Sequence, residues 1–167
     1  MNLMRMIAAL LLALALAACS SESKFQYYTG PEITHVLISK TEREMYLFHQ
    51  DKVVKTYPVN FGFTSKGHKQ FEGDGKTPEG TYYINRRNPN SAFHLSIGIS
   101  YPNVKDIAFA RAHGKSPGGD IFIHGQPNGK KRPNRPDWTA GCIAVTNREM
   151  EQIYAMVGDG TPVTILP

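Results

Sequence analysis

Two residues in this chain have the types and the spacing for covalent catalysis. His124 ends the run Ile121-Phe122-Ile123, and eighteen residues later Cys142 opens the run Ile143-Ala144-Val145. Short β-branched runs of this kind read as strands, so two strand ends would bring an imidazole and a thiol together over a cleft. The imidazole can take the thiol proton as sulfur attacks a carbonyl, then return it to a leaving amine. Gly141 lets the backbone turn tightly before the nucleophile. The N–H groups of Gly141 and Cys142 are then candidates for the oxyanion hole. The pattern points to cysteine acyl transfer.

Other chemistries find less support. His113, before Gly114, is read chiefly as a helix cap, with a cleft position as its alternative. His35, His49, His68 and His94 lie in or beside presumed strands and loops and read as surface or packing residues. His113, His124, Cys142 and Asp120 can be written as four zinc donors, but no H-E-x-x-H or C-x-x-C pair accompanies them. Phosphate loops, dinucleotide fingerprints and G-x-S-x-G elbows are also missing from the sequence. The site is therefore read as needing no metal and no cofactor.

The elements that must position the pair are mostly strands. His35-Val36-Leu37-Ile38, Glu44 to Phe48 and Val53 to Val59 form a predicted antiparallel meander, with a hairpin at residues 49–52. Residues 61–80, with five glycines after Phe61 and several lysines, read as a long connection rimming a site. Thr81 to Ile84 resumes as a strand, Arg86 and Arg87 as a basic turn, and Phe93 to Ile97 as a further strand. Val104, Ile107, Ala108 and Ala112 predict a short helix. Residues 127–136, basic and proline-rich, lie between His124 and Cys142 and are expected to wall the cleft. After Val145, Thr146 and Glu149 form a capping box, Met150, Ile153, Tyr154 and Val157 share a helix face, and Gly158 is the expected stop. Val163 to Leu166 closes the fold as a strand.

With 167 residues, 41% of them hydrophobic, the chain can bury one sizeable core. Its formal charge is +5. Aromatics and lysines form no periodic stripe, which argues against nucleic acid as a partner. An anionic envelope polymer or plain solubility accounts for the charge equally well.

Residues 1–18 read as a signal peptide: Arg5, an Ala/Leu stretch over residues 7–16, then Leu16-Ala17-Ala18-Cys19. The stretch is short for a membrane span. Leu16-Ala17-Ala18-Cys19 resembles a bacterial lipobox, which implies cleavage before Cys19 and lipidation of its thiol. Ser20 resembles an outer-membrane sorting signal, so the expected location is a lipid anchor on the periplasmic face of the outer membrane. Residues 19–31 then make a lipidated terminus and a poorly ordered tether, and residues 32–167 the catalytic domain. Cys142 remains as the one unlipidated thiol, and in an oxidising compartment it is either buried and inert or kept for its reactivity.

His124-Gly125, the spacer, and Thr139-Ala140-Gly141-Cys142-Ile143 resemble the signature of the YkuD-type L,D-transpeptidase catalytic domain. Thr77-Pro78-Glu79-Gly80-Thr81 resembles that family's turn before a strand. Ser100-Tyr101-Pro102-Asn103 and Pro117 to Gly125 are closest to its YafK-like branch. The resemblance implies a mainly β, β-sandwich-like fold with short helices, Cys142 as nucleophile and His124 as base. Gly125 and Thr139 become cleft candidates. It also implies peptidoglycan stem peptides as substrates, attacked at the L-centre carbonyl of meso-diaminopimelate. Two departures stand out: Ala140 where the motif has histidine, and Ala144 where many members have arginine. Arg111, Arg135 and Arg148 are the candidates to replace that arginine. The thioester can be resolved by water, releasing a Braun-type lipoprotein from peptidoglycan, or by an amine, giving a 3→3 cross-link or an attached lipoprotein. A non-catalytic peptidoglycan-binding lipoprotein is the alternative from a different class.

Overall fold

Alternation along the first strands decides which face is buried. Val36, Ile38, Met45 and Leu47 are fully enclosed, whereas Leu37 and Tyr46 between them are only partly covered. These residues lie on β1 (His35–Ser39) and β2 (Glu44–His49), which with β3 (Lys52–Pro58) form the expected antiparallel meander. The computed structural model describes residues 23–129, 133 and 135–167. The signal-peptide reading of 1–18 and the lipidation of Cys19 fall outside them.

The remaining strands are β4 (Gly80–Asn88), β5 (Ser96–Ile99), β6 (Phe122–His124), β7 (Ile143–Ala144) and β8 (Pro162–Leu166). Their order is β3-β2-β1-β8-β4-β5-β6-β7. The first residues of β4 pair with β8 and the later ones with β5, and a bulge between Ile84 and Arg86 separates the two registers. A bulge bends its strand, and here β4 is shared by both halves of a curled sheet. The free ends are tied together: Asn60 and Ala144 exchange N–H···O bonds of 2.9 and 2.8 Å, and Gly62 bridges Thr139. Among the described residues the chain thus adopts a mainly β fold with two short helices.

The core runs through the curl. Ile97, Ile99, Ile123 and Ile143 are fully buried, as are Met150 and Ile153 of helix α2 (Asn147–Met156). Each such side chain contributes roughly 1.5–3 kcal/mol by leaving water. Ile123 and Ile143 also fix register, since a one-residue slip of β6 would carry His124 to the wrong face. The Thr146–Glu149 capping box is formed as read. Helix α1 (Val104–Ala112) is capped by Asn103 and Asp106. No helix among the described residues is long and apolar enough to cross a membrane.

Three details differ from the sequence reading. Arg86 and Arg87 lie inside β4 and not in a turn. The strand placed at Phe93 begins only at Ser96, because His94 takes a left-handed φ of 70°. Helix α2 stops at Val157 in extended backbone, one residue before Gly158. In the segment read as a tether, Lys24 Nζ donates to Pro89 O at 2.6 Å and Gln26 Nε2 to Glu151 Oε2 at 3.1 Å, so this stretch lies along the body.

Candidate active site

The parallel pairing of β6 with β7 sets Ile123 opposite Ile143 and His124 opposite Ala144. Both isoleucines point into the core. By alternation, His124 faces away from the core that Ile123 enters, and Cys142, one residue before Ile143, lies on the same side. Both side chains line one cavity of about 440 Å³. The register that buries the core therefore delivers base and nucleophile to the same space.

His124 is 4% exposed. Its Nδ1 lies 2.7 Å from Gly125 O. A carbonyl can only accept, so Nδ1 carries the proton and Nε2 keeps its lone pair. Phe93 and Trp138 enclose the ring, with centroids 4.5 and 5.6 Å away. Burial lowers the imidazole's pKa, opposed in part by the Gly125 carbonyl. Gly125 does not line the cavity: it is buried, and a Cβ there would sit 2.7 Å from Asn147 Oδ1 and 3.0 Å from Phe93 O.

The Cys142 thiol donates to Asp120 O and accepts the Phe122 N–H, both at 3.4 Å. Burial pushes its pKa up, and the Phe122 N–H offsets this only in part. At rest the pair is therefore a neutral imidazole and a protonated thiol. That arrangement suits general-base chemistry, in which the proton moves as the sulfur attacks.

Thr139 holds the turn that presents the sulfur. Its buried hydroxyl donates to Cys142 O at 2.7 Å and accepts the Gly141 N–H at 3.2 Å. That second bond occupies one of the two N–H groups expected in the oxyanion hole and leaves the Cys142 N–H for that role. Gly141 has φ 137°, and a Cβ there would lie 2.7 Å from Lys76 O. The loop of residues 61–80 presses on this turn from below. Phe63 N–H donates to Thr139 O at 2.9 Å, Thr139 N–H to Phe61 O at 3.2 Å, and Gly62 N–H to Thr77 Oγ1 at 3.1 Å. The loop supports the nucleophile more than it rims the site.

The other candidates lie elsewhere. His113 caps α1, with Nδ1 on Phe109 O at 2.8 Å and its ring against Phe109 and Phe71. It does not line the cavity, so the zinc set of His113, His124, Cys142 and Asp120 is not assembled. Arg111 is exposed in the last turn of α1. Arg148 lies at a separate polar depression with Gln26 and Glu151. Arg135 is exposed in the loop of residues 127–136 and does not line the cavity. Residues 130–132 and 134 of that loop are outside the described set, but Trp138, just beyond it, does form a wall. Among the described residues, Arg86 touches two residues of the cavity lining: it lies 3.0 Å from Asp120 Oδ1 and over the Phe122 ring at 4.6 Å. The sequence reading missed it, together with Asn88, Ser96, Phe93 and Trp138. Alternation along β4 could have paired Asn88 with Arg86, but the bulge that aims them leaves no mark in the sequence.

A strand-borne histidine and a thiol on a glycine turn, facing one apolar cleft of a curled sheet, are an arrangement that can carry cysteine acyl transfer. The YkuD family profile, described as the L,D-transpeptidase catalytic domain, matches residues 33–165. The chain belongs to this family. It is 31% identical to YafK of Escherichia coli K12 over 144 residues, covering 83% of this chain and 52% of YafK. It is 26% identical to YkuD of Bacillus licheniformis over 137 residues, covering 79% of this chain and 65% of YkuD. The chain thus spans about half the length of YafK. The structure of Pgp2 from Campylobacter jejuni, a helical cell shape determining protein, is similar with TM-score 0.62 and 28% identity, over 90% of this chain and 53% of Pgp2. L,D-transpeptidase 1 of Mycobacterium tuberculosis shares the fold at 12% identity and TM-score 0.51, over 79% of this chain and 60% of that one.

Proposed function

We propose that this domain is a cysteine hydrolase of peptidoglycan. In this reading Cys142 attacks the L-centre carbonyl of meso-diaminopimelate in a stem peptide, and water resolves the thioester, detaching a Braun-type lipoprotein joined through that carbonyl. His124 takes the thiol proton as the C–S bond forms. The amine leaves with that proton, and His124 then deprotonates the attacking water. The Cys142 N–H faces the oxyanion in both steps. The observation that carries the reading is that one cavity holds a tautomerically fixed His124 and the Cys142 thiol. Ala140 and Ala144, in place of the usual histidine and arginine, are the departures that favour water over an amine in the second step.

Transpeptidation is the second reading, favoured by the family designation itself. It shares the acyl-enzyme and differs only in what resolves it. Muropeptides carrying a lipoprotein-derived lysine separate the two: release of free peptide and unlinked stem supports hydrolysis, while new 3→3 dimers without release overturn it. Lipidation of Cys19 and an outer-membrane location belong to the same proposal. Incorporation of labelled palmitate, lost in Cys19→Ala, is the expected result, and incorporation that persists in that variant would refute the anchor.

A further inference from the structure

We propose that Arg86 and Asp120 form a charge-reading subsite at the mouth of the cleft, one that takes the zwitterionic D-centre of a diaminopimelate side chain. The substrate carboxylate pairs with Arg86 and its ammonium with Asp120. The proposal rests on the stem-peptide reading and adds the residues that select within it.

Register brings the pair to the nucleophile. Arg86 on β4 lies opposite Gly98 on β5, and Gly98 lies opposite Phe122 on β6. The three make a row across one face, with neighbouring strands about 4.8 Å apart. The row leads to Cys142, whose sulfur accepts the Phe122 N–H. The bulge after Ile84 turns Arg86 onto this face. Gly98 then lets the arginine lie flat towards the cleft. A Cβ at that position would sit 2.6 Å from Arg86 Cγ, 2.7 Å from Nε and 3.1 Å from the Phe122 ring.

Asp120 joins the two functions. Its carbonyl takes the thiol's hydrogen bond, and its carboxylate pairs with Arg86 Nη2 at 3.0 Å. Its left-handed φ of 55° points these groups in different directions. The side chains of Asp120 and Arg86 are 83% and 45% exposed. An ion pair this open is weakly held and readily exchanged. A ligand bearing both charges replaces one ion pair with two and leaves neither side chain unmatched. A lysine-type or amidated side chain supplies the ammonium only and leaves Arg86 without an anion, which is the basis of selection.

The test uses the full chain and two tetrapeptide stems that differ only in a D-centre carboxylate or carboxamide. The wild type is expected to favour the carboxylate stem at least tenfold in kcat/KM. Arg86→Ala removes that preference by lowering the carboxylate stem alone, and Arg86→Lys restores part of it. Alkylation of Cys142 by iodoacetamide measures what the lost Arg86 charge does to the thiol itself, an effect common to both stems and therefore without influence on the preference between them. Calorimetry in Cys142→Ala should show the same preference in binding, independent of turnover. Equal loss on both stems in Arg86→Ala, or no preference in the wild type, overturns the subsite and leaves the stem-peptide reading standing. If Cys142→Ala binds neither stem, both fall.

Discussion

The floor and the rim of the cleft are built differently. On the floor, the turn at residues 139–142 is gripped by the Thr139 hydroxyl, by backbone bonds from Phe61 and Phe63, and by the close approach of Gly62 and Gly141. At the rim, Phe93 and Trp138 stack loosely, with centroids 6.1 Å apart, and Arg86 and Asp120 form an open ion pair. The turn that carries Cys142 is held by several hydrogen bonds, whereas the rim is made of loosely packed rings and an open ion pair. Preorganisation is concentrated where the bond changes occur. Substitutions on the floor should therefore lower kcat, and those on the rim should raise KM.

The largest effect is expected at the reacting pair. Cys142→Ala and Cys142→Ser should stay folded and lose turnover by a factor on the order of 10⁶. His124→Ala should cost about 10²–10⁴-fold in kcat. Circular dichroism together with product analysis checks both, and an active Cys142→Ala enzyme would remove the nucleophile assignment.

Thr139→Val comes next. It keeps the shape but strips a donor and an acceptor from a buried turn, leaving the Gly141 N–H and the Cys142 carbonyl unmatched. The expected loss is about 1–3 kcal/mol of stability, with kcat down by as much as about 10²-fold through displacement of the sulfur. Chemical denaturation and steady-state kinetics read these separately. A KM effect with unchanged kcat would place Thr139 in recognition and break the floor–rim distinction.

The pH dependence is smaller and its sign is fixed by burial. His124 has a lowered pKa in the fold, so it stays an unprotonated base below the ordinary histidine value of 6.5, and the acid limb of kcat/KM falls beneath that value. In the same window the unfolded chain binds more protons than the folded one. Stability is therefore full above 6.5 and declines as pH falls through the folded pKa. Cys142 has the opposite shift, so its linked stability is present below its ordinary value of 9.0 and is lost as pH rises through the folded pKa. An acid limb above 6.5 would mean that the imidazole is not desolvated and that the rim does not shield the floor.

How much of this was legible beforehand follows the same division. His124, Cys142 and Gly141 are close in sequence, and their flanking β-branched runs announce the strands that carry them. Thr139 was named, though not its double hydrogen bond. Arg86 was hidden because its direction depends on a bulge in β4, and Phe93 because His94 turns out of the strand that the pattern Phe93 to Ile97 suggested. Local alternation reports which residues share a strand face, but bulges and left-handed residues re-aim side chains without changing composition.

The smallest expected effect is at Trp138. Its Nε1–H is buried with no hydrogen-bond partner among the described residues, beside the cavity. A buried donor without an acceptor costs stability, so Trp138→Phe keeps the aromatic wall and should leave the thermal midpoint unchanged or slightly higher. If bound peptide supplies the missing acceptor, the substitution removes a bond made equally in the ground and transition states. The expected change is about 0.5–1.5 kcal/mol, read as a KM rise of about two- to tenfold at constant kcat. A fall in kcat instead would mean that Trp138 orients the His124 ring, and the rim would then have to be counted with the catalytic floor.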